Sequence, residues 1–277
     1  SVEQAYALAD LNDEVLDTRT SIVLFPGQPH PIQALMVGTK GSSLPIASSL
    51  ETPHPDRQIK RALLWESGFD YYSGFELDAV EAVFADAGVE IDRRSGNTAG
   101  QEDFLAAYRD PSFDLVWVAG HGEIDHWQDG SAQLLVGEEC AIGIDAMREI
   151  IPTEDRRRLC FFNVCDGGVS AVNGGIHKLG MAPMLANRTQ ATISHLWPVN
   201  PLVASAFGVF LAAALAEELG FHQAFDAALK MVRAPRMQIV DAVRRLAPDQ
   251  ELTDRIDNST SLDTELILHW GSPVFFQ

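Results

Sequence analysis

Two short stretches of this chain carry reactive side chains out of apolar runs. Leu115-Val116-Trp117-Val118-Ala119 leads into Gly120-His121-Gly122, and Leu159-Cys160-Phe161-Phe162-Asn163-Val164 leads into Cys165-Asp166-Gly167-Gly168. A histidine can take the proton of a nearby thiol and leave a thiolate, the nucleophilic form of cysteine. In that scheme Cys165 attacks a carbonyl carbon, and His121 accepts the thiol proton and then returns it to the leaving amine. Gly122 can bring its backbone N–H close to the carbonyl oxygen. With the N–H of Cys165 it would form an oxyanion hole, in which loss of one donor typically adds about 3–4 kcal/mol to the barrier. Gly167 and Gly168 let the chain turn tightly after the nucleophile.

The elements that must position these groups follow from the runs before them. Five or six apolar residues without polar alternation predict a strand buried on both faces of a parallel sheet. If both runs are parallel strands of one sheet, His121 and Cys165 leave it at the same edge. That edge, beyond the carboxyl ends of the strands, is where open α/β sheets hold their chemistry. The plainer alternative for a cysteine closing a strand is a small core residue. Cys160, inside its strand, is read in that way, and Cys140, on a short β segment with no partner pattern, is read as structural. A histidine flanked by two glycines is exposed by them and suits a core poorly.

The rest of the chain supplies alternating strands and helices. Residues 1–17 predict an amphipathic helix, followed by β segments at 21–25 and 32–37 and a long Gly/Ser/Pro loop over 38–57. Strands are predicted at 61–65, 89–92 and 191–196, besides the two described above. Helices are predicted over 75–87 with Gly88 as the stop, from Thr98 to Tyr108 with a Thr98/Gln101 capping box, and over 145–151. Two short β segments flank Glu138 and Glu139. Further helices are expected over 174–186, disturbed by Pro183, and over 202–219, 222–232 and 237–246. An apolar segment over 267–276 closes the chain. This alternation predicts an α/β fold with a mostly parallel central sheet and helices on both faces. Residues 58–277 form the main domain and residues 1–57 an extension packed on it.

Composition narrows the function classes. A formal net charge of −19 argues against direct nucleic-acid binding and against attraction to anionic lipid, since both need a basic surface. The longest apolar stretch, 202–216, is interrupted by Ser205 and followed by Glu217 and Glu218, which predicts a buried helix and not a membrane span. Three cysteines with no CxxC pair offer neither a disulfide framework nor a structural zinc site, and fit a cytoplasmic setting. The start, Ser1-Val2-Glu3-Gln4, has no signal-peptide pattern and no Met, as a piece of a longer protein would.

Val116-Trp117-Val118-Ala119-Gly120-His121-Gly122, Phe161-Phe162-Asn163-Val164-Cys165-Asp166-Gly167-Gly168 and Thr192-Ile193-Ser194-His195-Leu196-Trp197-Pro198-Val199, in this order, resemble a CHAT domain. The closing His269-Trp270-Gly271-Ser272-Pro273-Val274-Phe275 also matches the way such domains end. CHAT domains are caspase-like (clan CD) cysteine peptidases related to caspases, separases and gingipains. The resemblance covers about residues 61–277. It implies a caspase-like three-layer sandwich and a cysteine endopeptidase with His121 and Cys165 as catalytic dyad and Gly122 and Cys165 as oxyanion donors, without a cofactor. The strand that carries Ser194 and ends in Trp197 would line the pocket for the residue before the cleaved bond. The family's Asp after Trp-Pro is replaced here by Asn200-Pro201, and its Glu-Thr-Gly after the Cys by Asp166-Gly167-Gly168. Asp166 fits a basic residue before the cleaved bond, or it serves only to hydrogen-bond its own loop. The resemblance further implies a protein substrate, fused or associated sensor or repeat modules, and a role in bacterial defence or signalling. A catalytically silent caspase-like scaffold is the alternative. A metal-dependent hydrolase built on His121, Asp125 and His126 is a third reading, although no second cluster shows ligand spacing.

Overall fold

The computed structural model of the chain describes residues 53–68, 71–124, 132–138, 140–165, 170–173, 176–179, 181–196, 198–248, 251–259 and 270–277. At its centre is a six-stranded sheet built from β1 (Arg61–Glu66), β2 (Glu90–Ser95), β3 (Leu115–Ala119), β7 (Arg158–Asn163), β10 (Gln190–His195) and β11 (Pro273–Phe276), in the order β11-β10-β7-β3-β1-β2. Every pairing is parallel except β10 with β11. The apolar runs are the inner strands. All residues of β3 and of β7 are buried, as a strand covered on both faces requires.

Alternation along these strands divides the core in two. Leu64, Trp117 and Phe161 point to one face, where they join α1 (Tyr71–Asp86), α5 (Pro201–Ala216), α6 (Phe221–Val232), α7 (Arg236–Leu246) and α8 (Glu251–Asn258). Their neighbours Trp65, Val118 and Phe162 point to the other face. They pack there on α2 (Gln101–Arg109), α3 (Ile144–Arg148), α4 (Met181–Leu185) and a second sheet. The result is the mixed α/β, three-layer arrangement expected from the alternating pattern. α5 is apolar around nearly its whole circumference because it lies between the sheet, α1 and α6. The outer strand β2 carries Asp92, Arg93 and Arg94, charges that blunt an open edge.

The second sheet is an antiparallel unit of β4 (Gly122–Ile124), β5 (Ala132–Gly137) and β6 (Cys140–Gly143), inserted between β3 and β7. Its last two strands are the expected segments around Glu138 and Glu139. Residues 53–57 lie against the main domain. His54 N–H donates to the Arg188 carbonyl at 2.9 Å, and Asp56 accepts from Phe221 N–H at 2.8 Å while pairing with Arg157. Residues 1–52, which hold the rest of the expected extension, lie outside the described residues.

Several local expectations change. The expected helix over 174–186 is instead a hairpin of β8 (Ser170–Asn173) and β9 (Ile176–Leu179), followed by the short α4. The sequence between those strands is Gly174-Gly175, a pair that hairpin connections favour, and Pro183 falls in the first turn of α4, where its missing N–H costs nothing. The helix expected from Thr98 begins at Gln101, with Asp103 accepting from Gly100 N–H at 2.9 Å. Thr98 donates its hydroxyl to Ser95 O instead. α1 starts at Tyr71, ahead of the expected residue 75, and ends as expected before Gly88, whose φ is +74°. α3 is shorter than expected, and α8 was not foreseen.

Phe207 on α5 links the sheet to α6 by edge contacts with Phe161 at 5.7 Å and Phe225 at 5.9 Å. Phe207→Ala is expected to cost about 3–5 kcal/mol of unfolding free energy. A urea titration should show a lower midpoint with an unchanged slope. A loss under about 1 kcal/mol would mean that this contact does not join the layers.

Candidate active site

The site begins with strand register. β3 and β7 pair in parallel with Ala119 opposite Asn163, and Gly120 N–H donates to the Asn163 carbonyl at 3.3 Å. His121 is two residues beyond Ala119, and Cys165 is two residues beyond Asn163. Both residues therefore follow the carboxyl ends of adjacent strands, and adjacent strands lie about 4.8 Å apart across a sheet. The direction of the chain reverses on the other side of β3. From β1 it runs outward to β2, then returns past β1 to β3, so the edge between β1 and β3 is a topological switch point. His121 is exposed and Cys165 half-buried.

Gly120 is needed for a local reason. Ser67, at the end of β1, donates its N–H to the Ala119 carbonyl at 3.0 Å, and a Cβ on Gly120 would overlap the Ser67 side chain. His121 then joins the second sheet, where its carbonyl accepts from Leu135 N–H at 3.2 Å. The next pair, Gly122 with Leu134, is of the non-hydrogen-bonded type, so the Gly122 N–H turns away from β5.

The other expected site residues fare differently. Ser194 is fully buried in β10 and donates its hydroxyl to the Phe162 carbonyl at 2.8 Å, so it ties two strands together. Asp166 and Trp197 lie outside the described residues, as do Asp125 and His126. Among the described residues no three of His, Cys, Asp and Glu gather as metal ligands would, and no helix is long and apolar enough to cross a membrane. Cys160 is wholly enclosed within β7, and burial pushes its thiol up to about 11. It is a core cysteine.

Below the edge lies a polar chain that sequence reasoning did not assemble. Glu76 of α1 is 3% exposed, and its two carboxylate oxygens accept from Trp117 Nε1 at 2.8 Å and from Asn163 Nδ2 at 2.6 Å. Asn163 Nδ2 also approaches the Ala204 carbonyl of α5 at 3.3 Å, and Asn163 Oδ1 lies 2.6 Å from His195 Nε2. Since an amide oxygen can only accept, His195 carries its proton on Nε2. Burial pushes this ring down to about 3, so it is neutral, and among the described residues its Nδ1 has no hydrogen-bond partner. Gly208 of α5 leaves room for the group, since a Cβ there would stand 2.8 Å from the Trp117 ring and 3.2 Å from Glu76 Oε1. The sequence carried one signal for this chain. Glu76 occupies the place four residues before Val80, on the apolar stripe of α1, where a charge does not belong.

No family model matches the chain, and no curated protein matches it in sequence. Among solved structures it is similar to gingipain R of Porphyromonas gingivalis, an Arg-specific cysteine proteinase, at 11% identity and a TM-score of 0.48, over 82% of this chain and 48% of the other. It is also similar to a chain of the Saccharomyces cerevisiae separase–securin complex, at 11% identity and a TM-score of 0.44, over 82% of this chain and 12% of that one. Caspase-1 from Spodoptera frugiperda matches at 15% identity and a TM-score of 0.40, over 83% of this chain and 89% of the caspase. The chain thus spans about half the length of gingipain R and a small part of the separase chain.

The buried His195 gives stability a pH dependence. Folded, the ring takes up no proton until about pH 3, whereas unfolded it does so near pH 6.5. Between those values the unfolded state binds more protons, so stability is lost as pH falls below 6.5, at no more than about 1.4 kcal/mol per pH unit for this one group. His195→Gln keeps an amide donor toward Asn163 but does not titrate. Urea midpoints measured from about pH 6.5 down to about pH 5.5 should fall less steeply in that variant. Equal slopes would show that His195 titrates normally.

Proposed function

We propose that this chain is a caspase-like cysteine peptidase domain that cuts a protein partner, with Cys165 as nucleophile and His121 as general base. The observation that carries this reading is the in-register parallel pairing of β3 with β7, since His121 and Cys165 each follow the end of one of these neighbouring strands by two residues. The CHAT-like motifs around both residues support it independently. The exposure of His121 and the half-burial of Cys165, against the enclosed Cys160, add a third support.

In this mechanism His121 takes the Cys165 proton and the thiolate sulfur bonds to the carbonyl carbon of the scissile peptide. The carbonyl π electrons move to oxygen, where the N–H groups of Gly122 and Cys165 receive the charge. The tetrahedral species collapses, the C–N bond breaks, and His121 protonates the departing amine. Water, deprotonated by His121, then attacks the thioester carbonyl, and the C–S bond breaks to release the acid and return the thiol. Trp197 and Asp166 remain the proposed walls of the pocket for the residue before the cleaved bond, with Asp166 favouring a basic one. Control by joined sensor or repeat modules and a part in bacterial defence or signalling belong to the same reading, on the resemblance alone.

The test uses a mixed peptide library from a digested proteome, with new amino termini read by mass spectrometry. The unaltered chain is expected to cut it, Cys165→Ala to leave it intact, and His121→Ala to slow cleavage about 10²–10⁴-fold. Both variants should melt like the unaltered protein. Equal cleavage by Cys165→Ala would remove the proposal. A thiol-directed peptidyl probe that labels Cys165 no faster than Cys140 would point instead to a silent scaffold.

A further inference from the structure

We infer that Glu76 and Asn163 are positioning residues of the site: one buried carboxylate clamps the strand that carries the base to the strand that carries the nucleophile. This rests on the reading of Cys165 and His121 given above. Trp117 lies four residues before His121 on β3, and Asn163 lies two residues before Cys165 on β7. Glu76 accepts from both, at 2.8 and 2.6 Å, from a helix that packs on the sheet. Asn163 is the joint of the assembly. Its side chain meets Glu76, the Ala204 carbonyl and His195, while its backbone carbonyl accepts from Gly120 N–H, the residue just before His121.

The hydrogen bonds have a single direction. His195 Nε2–H donates to Asn163 Oδ1, Asn163 Nδ2–H donates to Glu76, and Trp117 Nε1–H donates to Glu76. Each donor points toward the carboxylate, so the Asn163 amide has only one satisfactory orientation. A flipped amide would set its oxygen against the Glu76 carboxylate and its NH2 group against the protonated His195 nitrogen. Such a directed buried chain specifies one arrangement of its members, because in a low-dielectric interior each mismatched pair is costly. A core of similar size made only of apolar groups would hold β3 and β7 together without fixing the rotation of the residue before the Cys165 turn.

The same polarity defines a swap that tests the inference. In Glu76→Gln the new NH2 group faces the NH2 group of Asn163, and in Asn163→Asp two carboxylates face each other. In the double variant, Glu76→Gln with Asn163→Asp, the amide now on α1 accepts from Trp117 and donates to the carboxylate now on β7, which also accepts from His195. The bonds from His195 through residue 163 and residue 76 to Trp117 are then remade with the charge moved by one residue, and only the 3.3 Å contact of residue 163 with the Ala204 carbonyl is lost.

Iodoacetamide alkylation of the 277-residue chain at about pH 7, resolved by mass spectrometry into Cys165, Cys140 and Cys160, is the readout. Each single variant is expected to slow Cys165 by about tenfold or more, with Cys140 unchanged. The double variant should return Cys165 to within about threefold of the unaltered rate, a strong coupling in a double-mutant cycle. Circular dichroism melts accompany each variant. Single variants that fold and keep the unaltered Cys165 rate overturn the inference. So does a double variant that regains the melt without the rate, since the chain of bonds then serves the fold alone. If the single variants do not fold, the double variant decides. Trp117→Phe, which removes one donor without opposing like groups, is the milder arm and should slow Cys165 about threefold; an unchanged rate there also counts against the clamp. If Cys165 of the unaltered chain labels no faster than Cys140, the peptidase reading fails and this inference falls with it. That outcome is distinct from a reactive Cys165 that ignores the substitutions.

Discussion

Parallel pairing of β3 with β7 in a single register is the constraint on which the rest depends. A parallel ladder has no turn to set its alignment, so the register must come from the faces and the ends of the strands. Here the faces are bulky and different. Trp117 packs edge-on against Phe161 at 4.6 Å on one side, while Val118 and Phe162 join the separate core on the other. A slip of one residue would exchange the two faces of β7, sending Phe161 and Phe162 into the wrong layers and moving Cys165 from the level of His121. The packing that stabilises the sheet thus also sets the geometry of its edge.

The buried polar chain adds what apolar packing lacks. Hydrophobic burial is non-directional, whereas Glu76, Asn163 and His195 each accept only one arrangement of donors and acceptors. Removing a carboxylate from water is costly, and two short hydrogen bonds from neutral donors offset part of that cost. The close approach of α5 past Gly208 serves the same group, since it carries the Ala204 carbonyl to the Asn163 amide. His195 is fully buried just beneath an edge where His121 is exposed, and that burial disfavours its charged form.

Much of the fold was legible because strands and helices leave period-specific traces. β3 and β7 were visible as unbroken apolar runs, α1 by its stripe and its Gly88 stop, and α5 by an apolar length broken only by Ser205. The errors share a cause. Residues 174–186 hold Gly, Pro and apolar residues compatible with either a helix or a hairpin, and the expectation of a helix follows the apolar spacing in preference to the hairpin signal of Gly174-Gly175. Gly100, with no side chain to announce a cap, hid the true start of α2. Ser194, expected from the resemblance to lie beside the pocket, is buried in β10 with its hydroxyl held by the Phe162 carbonyl.

The sequence by itself determined the layered α/β class and the inner strands, and it singled out the candidate pair His121 and Cys165, because each is written in neighbouring residues: an apolar run, two glycines, a histidine or a cysteine. Which strands lie side by side, and in what register, was decided only by the tertiary structure. Strand order depends on the competition of all faces for one core, and that competition has no local signature. The bond from Glu76 to Asn163 spans 87 positions, and no spacing rule joins residues so far apart. His121 and Cys165 were legible as types. Their placement just past the carboxyl ends of neighbouring strands comes from packing.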